Sequence, residues 1–308
     1  MAGWRLYLTD RLIRRLEILE GKPSTLCVWM QPERVVFLDL QNGNHLGERA
    51  FEDDAVRAPR PSPEWRAFVD SLTGPAGQRL PLVRASGAEI HTASDGKQRL
   101  DRISTPELSF ELDGIETRLD LGADVEIAAL RLDPASGALV ILDWAGKLHL
   151  FKGQARVGIV ETSLDLHPEM RPELALVSGG SAIFASDGRQ ILKLDAAGAR
   201  LGQLDVHYTL GALALSPDGR FLATSDLETG VLRVYSGADL KATHQRFATD
   251  LIAEARRVQL VPGSMSQSAA VGALALSSKG TLAFSVAGLV CVTNLARMKR
   301  VPRAKTSS

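Results

Sequence analysis

Cysteine is almost missing from this sequence: Cys27 and Cys291 are the only two. One pair cannot build a disulfide framework. Each sits in an alternating apolar run, TLCVWM and LVCVTN, which predicts buried free thiols. Aromatic residues make up only 5%, and Trp4, Trp29, Trp65 and Trp144 are scattered. That excludes a stacking array for single-stranded nucleic acid. An excess of charge is missing too, since 36 Lys+Arg balance 36 Asp+Glu. No global field draws the chain to nucleic acid or an acidic membrane, and no nucleic-acid partner is expected. No apolar run approaches the roughly 18 residues of a membrane helix. The first residues, MAGWRLYLTDRLIRRLEILEG, are broken by Arg5, Asp10, Arg11, Arg14 and Arg15 and lack the apolar core of a secretory signal. The expected location is the cytoplasm. The wealth of Ala, Leu, Gly and Arg suits a bacterial genome rich in G and C.

What the sequence does contain is a repeated hairpin. In LSPDGRFLATSDLETGVLRVYS (215–236), Pro217 presets φ, Asp218 bonds back to the chain and Gly219 accepts positive φ. GALALS before it is small and apolar on both faces, as a strand buried between neighbours requires. RFLATSD and VLRVYS supply two further strands, giving an antiparallel meander. The pattern recurs in ILDWAGKLHLF, FASDGRQILKLD and AFSVAGLVCVTN. Their turn glycines Gly146 and Gly188, with Gly230 of the first hairpin, fall at equal intervals of 42 residues, and Gly288 follows after a longer gap. TASDGKQRLDRI offers Gly96, and Gly43 is a weaker match. A period of about 40–45 residues with four strands per unit describes propeller blades.

On these residues the chain resembles WD-repeat and YVTN-type β-propellers, most closely over 206–242. His207 stands near the family's Gly-His pair and Tyr235 where the family carries Trp. Val206, Thr229 and Ser236 depart from the family's Gly, Asp and Asp, so the resemblance implies an incomplete His–Ser–Asp–Trp network. His207 is expected to hold a strand-to-turn junction, and His149 to face outward. The fold class is therefore all-β: one propeller of four-stranded antiparallel blades over 1–302, with six blades favoured and seven as the alternative. A basic flexible tail follows at 303–308. A strand from WRLYL or RLIRRLEIL is expected to pair with the C-terminal blade.

Two insertions break the rhythm, at 51–79 and 247–269. In the first, SPEWRAFVDSL predicts a short helix over 62–72, with Ser62 as N-cap and Pro63 at its first position. Trp65, Phe68, Val69 and Leu72 form its apolar stripe. They pack on the propeller or dock a partner protein, and Trp144, at a turn, is a further candidate contact. In the second, TDLIAEARRV predicts a turn or two of helix.

No zinc spacing, nucleophile elbow, phosphate loop or dinucleotide fingerprint occurs, so no catalytic residue, cofactor or metal is assigned. Asp133, Asp143, Asp187, Asp218, Asp226 and Glu228 are placed to form turns. The leading reading is a non-enzymatic scaffold binding another protein or a multiprotein complex. The alternative is a propeller enzyme, a lactonase- or lyase-like hydrolase, with polar residues converging on a central channel, where Arg131 is a candidate lining residue.

Overall fold

The computed structural model describes residues 4–8, 13–22, 24–30, 34–50, 72–73, 79–80, 82–86, 89–94, 99–112, 115–133, 135–167, 170–250, 253, 270–286 and 288–301. The chain divides into two compact units, Met1–Phe51 with Leu204–Ser308, and Glu52–Gln203.

The first unit holds three antiparallel blades. The first blade runs in chain order through Ile13–Leu19, Thr25–Met30, Arg34–Asp39 and His45–Ala50. The fourth blade contains Leu210–Leu215, Phe221–Asp226, Val231–Ser236 and Ala242–Phe247, with Lys299–Arg300 added at its outer edge. The fifth contains Val271–Leu276, Thr281–Val286 and Leu289–Asn294. Its outer strand is Trp4–Tyr7, with Trp4 opposite Val292 and Tyr7 opposite Leu289. The N-terminal strand thus completes the C-terminal blade, as WRLYL suggests.

The recurring GALALS text has a packing reason. In Val271–Leu276, Ala273 and Ala275 face the first blade, against Leu16, Ile18 and Val28. Leu274 and Leu276 face the fourth blade, where they meet Ala212 and Ala214. A strand with an alanine face and a leucine face presents small against large on each side, which lets neighbouring blades interdigitate. Each leucine so buried contributes about 2–3 kcal/mol.

The second unit holds two blades and a ribbon. The second blade is a seven-stranded sheet reaching from Leu82–Ser86 to the outer strand Ala155–Glu161. The third comprises Glu173–Leu176, Ala182–Ser186, Gln190–Asp195 and Arg200–Asp205. Val140, Leu142, Leu148 and Leu150 of the second blade pack on Leu174, Ile183, Leu192 and Leu194 of the third.

The described residues therefore form five blades, which corrects the expected six and its alternative of seven. The reason lies in one continuous strand, Ile115–Asp133, of 19 residues. Its first part pairs with Arg99–Leu112 and its last part with Ala138–Asp143. The hairpin flanking Gly96 is thereby joined to the sheet of Gly146 and does not make a blade of its own. Leu108, Leu119 and Leu121 of the extended strands pack on Leu139, Ile141 and Phe151.

The predicted 62–72 helix falls outside the described residues up to 71. Leu72 itself begins a two-residue strand, Leu72–Thr73, opposite Leu80. Of the second insertion, 248–250 and 253 are helical. The 303–308 tail lies outside the described residues.

Candidate interaction surface

The turn carboxylates are engaged with backbone N–H groups. Asp133 accepts from Ala135 N, Ser136 N and the Ser136 hydroxyl, and also from Gly179 N of the third blade at 2.8 Å. Asp187 accepts from Arg189 N and Gln190 N, each at 2.8 Å. Asp218 accepts from Arg220 N and the Ser216 hydroxyl. Asp226 accepts from Glu228 N, Thr229 N and the Thr229 hydroxyl. Burial alone would raise the Asp226 carboxyl. The bonds from Thr229 and Glu228, with the nearby Arg233 charge, outweigh it and hold the group below the usual carboxylate range.

Asp143 does more than close a turn. Its Oδ1 accepts from Lys147 N at 2.8 Å, and its Oδ2 lies 2.7 Å from His149 Nε2. His149 is buried, not outward-facing. It shares the face of Ile141 and Phe151, and that face is covered by Leu108, Leu119 and Leu121 from the long hairpin. Its Nδ1 is buried without a hydrogen-bond partner, so Nε2 carries the hydrogen donated to Asp143.

In the fourth blade the expected role of His207 passes to its neighbour. His207 is exposed. The Tyr208 hydroxyl lies 2.7 Å from Thr224 Oγ1 and 3.1 Å from the Tyr235 hydroxyl. Arg233 stacks over the Tyr208 ring at 4.3 Å. Tyr235 thus stands in a Tyr–Thr–Tyr hydrogen-bond network. Burial, then Tyr208, pushes the Tyr235 phenol well above its usual range. The adjacent Tyr in VHY was the available signal. Cys27 and Cys291 are buried free thiols, and burial, reinforced by Glu17, raises Cys27 strongly.

Arg131 is not a free channel cation: it meets Glu173 of the third blade at 3.5 Å. The Arg131–Glu173 pair leaves no spacing signal in the sequence, because the two charges lie on strands of different blades. Among the described residues, no group of three or more His, Cys, Asp or Glu is placed to hold a metal ion.

Of the candidate partner contacts, Trp65, Phe68 and Val69 lie outside the described residues and Leu72 is in the small ribbon. Trp144 is half-buried on a braced turn. Its N–H donates to Glu126 O at 2.9 Å, and Thr162 Oγ1 donates to Gly146 O at 2.6 Å. The adjoining connection is tied to the third blade by Asp165 N to Asp187 Oδ2, 3.2 Å, and by Gln190 Nε2 to Ser163 O, 3.0 Å. One end of this unit therefore presents Trp144, Ala145, Asp165, His167 and Arg189 on a fixed backbone.

No protein-family model and no curated protein matches the chain. Solved structures do. A chain in the crystal structure of the mitotic checkpoint complex is similar at a TM-score of 0.57 and 13% identity, over 95% of this chain and 94% of that one. Raptor from Chaetomium thermophilum is similar at a TM-score of 0.62 and 11% identity, over 97% of this chain and 29% of that one. With the repeated meanders and the five blades, these likenesses establish the fold: the chain has the blade architecture of a β-propeller.

Proposed function

We propose that the protein is a non-catalytic scaffold that works in the cytoplasm and presents blade ends to a partner protein or multiprotein complex. The observation that carries this reading is the fate of the turn carboxylates. Asp133, Asp187, Asp218 and Asp226 are bound to backbone N–H groups, and Asp143 is shared between Lys147 N and His149. A channel hydrolase needs titratable groups that converge on a substrate, whereas these hold turns in place. The similar chain that spans nearly the same length comes from the mitotic checkpoint complex, an assembly, which suits the same use of this fold. No described helix is long and apolar enough to cross a membrane.

Trp144 is one proposed contact, on a rigid turn. The stripe Trp65, Phe68, Val69 and Leu72 is the other, because large apolar side chains are frequent interface anchors. The test is affinity purification from the native host with the intact chain and a Trp65→Ala, Phe68→Ala variant of unchanged melting temperature. A defined protein recovered with the intact chain and lost with the variant supports the scaffold and its stripe. Recovery of no protein above control, together with hydrolysis of a lactone panel, overturns it.

A further inference from the structure

Residues 299–301 make an addition to the fourth blade. Beyond its fourth strand, Lys299–Arg300 adds a fifth, with His244 opposite Arg300 and Gln245 opposite Lys299. Val301 N donates to Thr243 O at 3.0 Å. The segment is short, and its inner anchors are the buried Leu295 and Met298. Its hold on the blade edge therefore rests on a few backbone bonds, and one charge at this row changes the balance.

His244 is placed to supply that charge. The Thr243 hydroxyl donates to Val234 O at 3.0 Å, so its oxygen accepts from His244 Nδ1, also at 3.0 Å. Nδ1 then carries a hydrogen, so the proton that charges the ring is the one added at Nε2. The charged groups around it are cationic. Arg300 stands opposite on the added strand, and Arg246 lies two residues along its own strand, bonded to Thr293 of the fifth blade at 3.4 Å. On the strand behind, the same face carries Leu232 and Val234, which have no charge. The carboxylate of the adjoining turn, Asp239, is paired with Lys241.

We infer that residues 299–301 are a pH-sensitive latch, closed on the outer edge of the fourth blade while His244 is neutral and released when it is protonated. Like charges directly opposite on neighbouring strands repel. Burial first, then Arg300, holds the His244 proton affinity below its ordinary value. An unlatched His244 recovers the ordinary value of about 6.5. Acid therefore favours the open form: the latch is fully held above about pH 6.5 and weakens as pH falls below it. Release frees the outer backbone edge of Ala242–Phe247.

Hydrogen exchange of the full-length chain tests this, read at the Val301 amide and corrected for intrinsic exchange. Between pH 7.5 and pH 5, protection in the wild type is expected to drop about two- to fivefold, the scale of one like-charge strand pair. His244→Gln, which stays neutral, is expected to abolish the drop, and Arg300→Gln, which removes the opposing charge but leaves the burial, to reduce it. A flat wild-type profile, a drop that persists in His244→Gln, or an undiminished drop in Arg300→Gln overturns the latch.

Discussion

Ser278 donates its backbone N–H to the carboxylate of Glu20 at 2.6 Å, across 258 residues of chain. The same residue's carbonyl accepts from Arg220 Nη2 at 2.5 Å, and Arg220 Nε meets Asp218 at 2.5 Å. First turns of the first, fifth and fourth blades are thus joined in one polar relay. Glu20→Ala is expected to lower stability by about 1 kcal/mol, the usual worth of one such bond, and Arg220→Ala by a similar amount. Because both bonds meet at Ser278, the double variant should depart from additivity. Urea unfolding of the four species measures this.

The Tyr208–Thr224–Tyr235 network gives a second prediction. Tyr208→Phe removes the hydroxyl that bridges the other two and leaves buried Thr224 Oγ1 without it. The cost is expected to be about 1–2 kcal/mol, including the desolvation of the group left behind. His207→Ala, at an exposed residue, is expected to cost less than about 0.5 kcal/mol. Thermal unfolding of both variants separates the two residues' roles, and equal losses would contradict the assignment to Tyr208.

Gly237 is required for space. Its N–H donates to Arg220 O at 2.7 Å, and a Cβ there would collide with Gly219 O, a backbone atom. Gly237→Ala is expected to cost about 3 kcal/mol, as an overpacked site. Gly153 is the contrast: its φ is +57 with open space around it, so Gly153→Ala carries only the left-handed strain of about 1–2 kcal/mol. Denaturation midpoints of the two variants rank them.

Acid should act through Asp218 and Asp226. Burial opposes their ionisation. The bonds each accepts outweigh it: Ser216 and Arg220 for Asp218, and Thr229 and Glu228 for Asp226. Both stay below the usual carboxylate range. Their folded values are depressed, so the stability they contribute is present above about pH 4 and is lost as pH falls through those values. The Asp218→Asn, Asp226→Asn double variant is expected to be less stable at pH 7 yet to lose less between pH 4 and pH 2.5. An identical acid slope in wild type and variant would remove these carboxylates from the account.

Much of the blade pattern is legible in the sequence because strand, turn and packing point the same way. PDG at 217–219 and the two GALALS strands carry turn geometry and the small-against-large faces in a few letters. The blade count is less legible. The turn glycines of two hairpins suggest separate blades, and nothing local reveals that Ile115–Asp133 runs on as one strand through both. His149 reads as outward because alternation gives its face but not what covers that face, which comes from Leu108, Leu119 and Leu121 far along the chain. The Asp143–His149 pair follows once that cover is known, since both residues lie on the same side of one hairpin. Glu173 opposite Arg131 was beyond reach, because contacts between blades leave no spacing rule in the chain.

The scaffold reading is tested most directly by cross-linking mass spectrometry in the native host. Lys147 is the reporter, since it shares the braced turn of Trp144 and its side chain is 43% exposed. Reproducible cross-links from Lys147 to one partner protein are expected, with their loss in a folded Trp144→Ala variant. Cross-links from Lys147 confined to this chain, in cells where the protein is abundant, would contradict that reading.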